Sequence, residues 1–179
     1  RALHTLIFDD PECRPFYYKN GKSFKDYHKE GEIFWHKYVT YTEGMSDYWD
    51  YSFFNVSVIR YADVLLLYAE CLNDKGETTE AINIINKVRA RVNVPALPLT
   101  MSKAEVLKHL QDKERPCELA LEGSRWYDLV RWGIVEETLK AHNKPFVENY
   151  VDTKHQLFPI PHSEFLLNPD WEQNPNYSK

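Results

Sequence analysis

Between residues 114 and 131 the chain crowds four carboxylates, Glu114, Glu118, Glu122 and Asp128, among three arginines, Arg115, Arg125 and Arg131. Two acids facing each other across a cleft can serve as the proton donor and base of glycoside hydrolysis, provided their environments hold their pKa values apart. Here each acid has an arginine within one or two helical turns, which keeps it ionised. The same spacing builds a packed ion-pair network at a helix junction, made of Glu114, Arg115, Glu118, Arg125, Asp128 and Arg131, and the sequence favours that reading. The seven histidines are scattered, with no HExxH pair and no Cys/His spacing for zinc. No glycine-rich phosphate loop and no GxSxG elbow is present. The sequence therefore presents no catalytic site, and it calls for no cofactor and no metal.

A second group of residues suits binding. Of 26 aromatic residues, 15 lie in the first 57, where helical periodicity is missing. Such rings either cover a helical core or stand out as stacking platforms, as flat sugar faces require. Tyr48-Trp49-Asp50-Tyr51 combines rings with an acceptor, so Tyr48, Trp49 and Tyr51 are the candidate glycan contacts. For any single ring, packing against the core is the favoured reading.

These residues need a frame, and the frame reads as helical. From Arg60 to Asn73, Tyr61, Leu65, Tyr68, Ala69 and Leu72 recur on one face of a 3.6-residue period, which predicts a core helix. Asp74-Lys75-Gly76-Glu77 is a polar turn, with Gly76 free to take positive φ. Thr78 and Thr79 open a second helix with Ala81, Ile82, Ile85, Val88 and Val92 on one side. So short a loop makes the pair antiparallel. Leu65, Tyr68, Ala69, Leu72, Gly76, Ala81, Ile85 and Val88 fall at tetratricopeptide spacing, although a generic helical hairpin drifts toward the same pattern.

Pro95 and Pro98 form a linker, and Ser102 with Glu105 is a capping box that starts a third helix. Its stripe is expected to run Leu107, Leu110, Glu114, Cys117 and Leu121, with a kink where Pro116 removes the bond to the Asp112 carbonyl. After Gly123, Ser124 to Trp132 begins a fourth helix, making a second hairpin. Before the helices, Phe34 to Tyr41 reads as a short strand, and Asn20-Gly21 is the best hairpin signal. After them, Pro159 and Pro161 impose an extended tail with one helical turn over 163–168. Rings at Phe158, Trp171 and Tyr177 are expected to pin that tail as a strap. The organisation read from the chain is an aromatic-rich loop and short-strand segment (1–57), helical hairpins (58–141) and a C-terminal strap (142–179), all parts of one domain.

A net charge of -5 and the lack of any Lys/Arg-rich run argue against a nucleic-acid partner. No apolar run approaches a membrane span. Cys71 and Cys117 sit among apolar helix residues and are expected to be buried thiols, while Cys13 completes an odd count without a CxxC pair. There is no initiator Met and no signal peptide, so a fragment of a longer protein is expected.

Five blocks together resemble the C-terminal part of the SusD/RagB family. They are Arg60-Tyr61-Ala62-Asp63 with Tyr68-Ala69-Glu70; Asn86 to Arg91; Glu114-Arg115 with Glu118-Leu119; Glu122 to Leu129 with Arg131-Trp132; and the tail, Phe158-Pro159-Ile160-Pro161, Glu164, Asn168-Pro169 and Gln173 to Tyr177. The resemblance implies a mostly α fold of tetratricopeptide-like helical hairpins with irregular loops and a short β-hairpin. It implies a non-catalytic, nutrient-binding lipoprotein on the bacterial outer membrane. The ligand would be a polysaccharide or oligosaccharide, or in some members a peptide, and the partner a SusC-like TonB-dependent transporter. The membrane tie would be an N-terminal lipidated cysteine absent from this chain. A tetratricopeptide-type scaffold that binds protein is the competing reading. The matching blocks are framework, so no ligand residue carries over from the resemblance.

Overall fold

The structure, a computed structural model, describes residues 1–10, 23–38, 55 and 57–178. The fold is mostly helical and divides into two compact units, Arg1–Gly123 and Ser124–Lys179. Asn20-Gly21, Cys13 and the candidate contacts Tyr48, Trp49 and Tyr51 lie outside the described residues.

The first unit is built on two helices, α2 (Tyr61–Asp74) and α3 (Thr78–Ala90), a tetratricopeptide-like hairpin closed at Gly76. Gly76 takes φ +89°, and the Glu77 N–H donates to the Leu72 carbonyl at 2.9 Å, which turns the chain back on itself. Ala69 and Ala81 are wholly buried where the helices meet; their small side chains let the backbones approach. Around them Leu66, Leu72, Ile82, Ile84, Ile85 and Val88 form the core, joined by Val106 and Leu110 from the next helix. Each such side chain contributes about 1.5–3 kcal/mol through the apolar surface it removes from water.

The buried face of α2 differs from the expected one. Ala62, Leu66, Ala69, Leu72 and Asn73 point inward, whereas Tyr61 is 76% and Tyr68 52% exposed. The helix is apolar over most of its circumference, so periodicity alone allowed either rotation, and α3 covers the side with the small residues. Cys71 falls on the outer side with the tyrosines, and Cys117 is also exposed; neither is the buried thiol expected from its neighbours.

The third helix is irregular. It comprises α4 (Lys103–His109), a π turn (Leu110–Glu114) and α5 (Arg115–Glu118). The Ser102–Glu105 capping box opens it: the Ser102 N–H donates to Glu105 at 2.7 Å, and the Glu105 N–H to the Ser102 hydroxyl at 3.3 Å. The irregularity expected at Pro116 takes the form of the wide turn before it. A proline has no N–H for the carbonyl four residues back and its ring crowds that carbonyl, and a π turn relieves both. The extra width also changes which residues face inward. The buried stripe is Val106, Leu110, Glu114, Arg115, Glu118 and Leu119, and Leu121, expected on it, is exposed.

At the start of the chain, α1 (Ala2–Thr5) leads into β1 (Leu6–Ile7), which pairs antiparallel with β2 (Phe34–Trp35), Leu6 opposite Trp35 and Ile7 opposite Phe34. Within the described part of the predicted 34–41 strand, only Phe34 and Trp35 are extended and paired.

The second unit contains α6 (Ser124–Trp132), α7 (Val135–Ala141), a 3-10 turn (Pro145–Asn149), α8 (Asp152–His155) and α9 (His162–Leu167). Its small core is Leu129, Val135 and Leu139, flanked by Trp126, Val130, Ile134, Val147 and Tyr150. The tail holds through amides rather than through all three of its rings. Gln173 pairs with both backbone groups of Ile160, accepting from its N–H at 2.8 Å and donating to its carbonyl at 2.9 Å. Asn174 donates to the Phe158 carbonyl at 2.7 Å and the Tyr177 hydroxyl to the Leu157 carbonyl at 3.1 Å. Phe158 and Trp171 themselves stand largely in solvent, 77% and 48% exposed.

Candidate functional site

Three of the four carboxylates that opened the sequence analysis line up along the π turn, α5 and the bend that follows it, and the fourth, Asp128, lies on α6 in the second unit. Glu114, Glu118 and Glu122 follow at intervals of four, and the first two are buried. Burying a carboxylate is costly unless cations and hydrogen bonds surround it. The arginine and lysine partners come from distant parts of the first unit, and His109 from the same irregular helix. Glu114 is held by Arg89 at 2.7 Å, by His109 Nε2 at 2.9 Å and by Arg1. Glu118 takes Arg91 at 2.6 Å, Arg1 at 3.1 Å and Arg60 at 3.2 Å. Glu122 takes Arg60 at 2.7 Å and Lys37. Buried Arg115 turns the other way, to Asp63 of α2 at 2.7 Å.

Lys37 and Arg60 do more than neutralise. The Lys37 ammonium donates to the carbonyls of Glu118 and Ala120 at 3.1 and 3.2 Å, and Arg60 donates to the Glu118 carbonyl at 3.0 Å. These carbonyls close the C-terminal end of α5, where helix carbonyls lack partners and where a cation is favoured. The strip thus ties the first residue, the stretch after β2, the start of α2 and the end of α3 to one helix.

The pKa shifts follow from this geometry. Burial would raise the Glu114 carboxyl, but hydrogen bonds from His109, Arg1 and Arg89 outweigh it and bring the pKa down to about 2. Glu122 is likewise lowered, with burial opposing and Arg60 and Lys37 prevailing. Arg60 is raised: burial works against its charge, and Glu122 and Glu118 overcome it. A general acid must carry its proton near the working pH, so an acid held near 2 is suited to structure, not to proton donation.

Of the six residues expected to form the network, Glu114, Arg115 and Glu118 lie in this cluster. Asp128 and Arg131 pair with each other one helical turn apart on α6, at 3.0 Å, with the Arg131 guanidinium over the Trp132 ring at 4.3 Å. Arg125 also belongs to α6, in the second unit. The sequence reading missed the partners Arg1, Lys37, Arg60, Asp63, Arg89, Arg91 and His109. Apart from His109, they come from separate stretches of the chain and share no local spacing with the residues they meet.

The second unit also carries a concave feature that the sequence did not reveal. A cavity of about 410 Å³ opens between α6, the 3-10 turn, α8 and the tail, walled by the rings of Trp126, Phe146, Tyr150, Phe158 and Tyr177. Trp126 meets Tyr150 edge to face, their centroids 6.1 Å apart. Burial together with the neighbouring Asp152 pushes the Tyr150 phenol up to about 12, so it stays protonated, donating to Asp152 at 2.7 Å. Among the described residues no cluster of His, Cys, Asp or Glu could hold a metal, and no helix is long and apolar enough to cross a membrane.

Known proteins resemble this chain in sequence and fold. The model of the SusD family matches residues 15–177. The chain is 37% identical over 130 residues to the SusD-like protein P38 of Formosa agariphila, covering 69% of this chain and 25% of that protein. It is 31% identical over 131 residues to the SusD-like protein P2 of the same organism, covering 69% of this chain and 26% of that protein. Among solved structures, a SusD superfamily protein from Bacteroides vulgatus superposes with a TM-score of 0.77 at 29% identity, over 98% of this chain and 39% of that one. A SusD homologue from Bacteroides thetaiotaomicron gives 0.55 at 35% identity, over 66% of this chain and 26% of that one. The chain spans about a quarter of the length of the curated relatives it matches. With the family model matched across nearly its whole length and the mostly helical fold shared, this chain belongs to the SusD family.

Proposed function

We propose that this chain is the helical framework of a non-catalytic nutrient-binding protein, which captures polysaccharide or oligosaccharide at the bacterial outer surface and delivers it to a SusC-like TonB-dependent transporter. The observation that carries the reading is the family match over residues 15–177. The acid strip supports it: the carboxylates nearest the core are committed to cations, which suits a rigid frame better than hydrolysis. Anchoring falls to a lipidated N-terminal cysteine of the longer protein, and glycan contact to Tyr48, Trp49 and Tyr51, whose rings and neighbouring Asp50 fit a sugar face.

A second reading, a tetratricopeptide-type scaffold that binds protein, draws on the outer side of α2, where Tyr61 and Tyr68 are exposed. The experiment that separates the two is a titration of the full-length protein with a panel of polysaccharides and oligopeptides, with product analysis for cleavage. Saturable glycan binding without cleavage, lost on Trp49→Ala, is the expected result. Peptide binding alone makes the captured nutrient a peptide, binding of neither supports the scaffold, and turnover of any sugar overturns both.

A further inference from the structure

We propose that the cavity of the second unit is a binding site for a flat, uncharged aromatic ring of the indole or phenol type, a ligand class separate from the glycan of the preceding reading. The volume of about 410 Å³ falls in the range of small-molecule sites, which are concave, mostly apolar and supplied with few polar groups. Its rings offer faces and edges for stacked and edge-to-face packing, with one face of Tyr177 taken by the Lys154 ammonium and Trp126 already set edge to face on Tyr150. Leu139 and Leu157 complete the apolar wall, and among the described residues His155 is its one ionisable side chain besides the two tyrosines.

The polar groups of the lining decide which ligand fits. The Tyr150 hydroxyl is spent on Asp152 at 2.7 Å, and the Tyr177 hydroxyl on the Leu157 carbonyl at 3.1 Å. The Val151 N–H donates to His155 Nδ1 at 2.8 Å, which places the ring proton of neutral His155 on Nε2. The wall thus retains the imidazole Nε2–H and the Asn149 carboxamide. A pyranose would bring several hydroxyls into a wall that can answer one or two, and each one buried without a partner costs about 1–3 kcal/mol. An indole or a phenol brings one polar hydrogen and a flat apolar body, and a single amide can satisfy it. Among the described residues the lining itself carries no Lys, Arg, Asp or Glu, and the nearest charges are engaged by wall rings, Lys154 over Tyr177 at 4.8 Å and Asp152 with the Tyr150 hydroxyl at 2.7 Å, so a charged ligand gains no free counter-charge there.

The test is calorimetric titration of the full-length protein with indole, repeated in the presence of methyl glucoside and on two variants. Phe158→Ala removes a wall ring that is 77% exposed, so the fold should survive it. Leu157→Trp fills the cavity instead. The expected result is saturable indole binding that weakens about tenfold or more in both variants and is not displaced by methyl glucoside. If either variant fails to fold, the other decides. Failure of indole to saturate, binding unchanged by the folded variant, or displacement of indole by methyl glucoside would each overturn the assignment. A negative glycan panel on the full-length protein leaves this result untouched, because neither ligand nor residues are shared.

Discussion

The guanidinium of Arg89 meets the carboxylate of Glu114 at 2.7 Å, joining the end of α3 to the π turn before Pro116, with the acid wholly shielded from solvent. This pair is the inner end of the strip whose other members reach Arg1, Arg60, Arg91 and Lys37. It makes the first unit's stability depend on charge placement as well as on its apolar core.

Removing the charge at that point should be expensive. Glu114→Gln keeps the shape but leaves Arg89 and Arg1 facing a neutral amide with little water to replace it. Losing one member of a buried pair costs about 3–5 kcal/mol, and the slight exposure of both arginines reduces this to about 2–3. Urea denaturation of the variant beside the parent chain measures the loss. A cost under about 0.5 kcal/mol would show that the strip is not structural.

The same carboxylate gives an acid-sensitive stability. Its folded pKa of about 2 lies below the ordinary 4.5, so the stabilisation is complete above about pH 5 and disappears as pH falls through about 2. At 1.36 kcal/mol per pH unit the depression is worth about 3 kcal/mol. Glu122, also lowered, works in the same direction. Denaturant midpoints taken between pH 7 and pH 2 should fall in this window, and Glu114→Gln should flatten the slope.

Gly76 is a backbone requirement. Its φ of +89° suits glycine, and nothing lies within 4 Å of where a Cβ would stand, so the cost of Gly76→Ala is conformational alone. About 1 kcal/mol, or a fall of about 2–4 °C in Tm, is expected from a thermal melt. An unchanged Tm would mean that the hairpin turn relaxes without penalty.

In the tail, Gln173 replaces a strand partner by binding both the N–H and the carbonyl of Ile160. Gln173→Ala should release residues 158–178 locally while leaving the global transition nearly unchanged. Amide hydrogen exchange at Ile160 and Asn174 should accelerate by about tenfold, a loss of about 1.4 kcal/mol. Exchange rates equal to those of the parent chain would show that water takes over these bonds.

Local chemistry alone determined much of the frame. Apolar period, the turn at Gly76, the capping box at Ser102 and the prolines at 95, 98, 159 and 161 place the helices and the breaks between them, because each acts within one turn of backbone. Which way each helix rotates was beyond that reach. On α2, Tyr61 and Tyr68 had as good a period as Ala62 and Leu66, and only packing against α3 chose the latter as the buried set. The acids were visible as a cluster, yet their nearest arginines in sequence were not all their partners. Arg115 turned to Asp63, and Arg1, Arg60, Arg89 and Arg91 arrived from far along the chain, since a buried carboxylate takes whichever cation the fold brings near. The aromatic cavity is likewise a tertiary product. Trp126, Tyr150, Phe158 and Tyr177 share no period, and only the return of the tail sets them around one space.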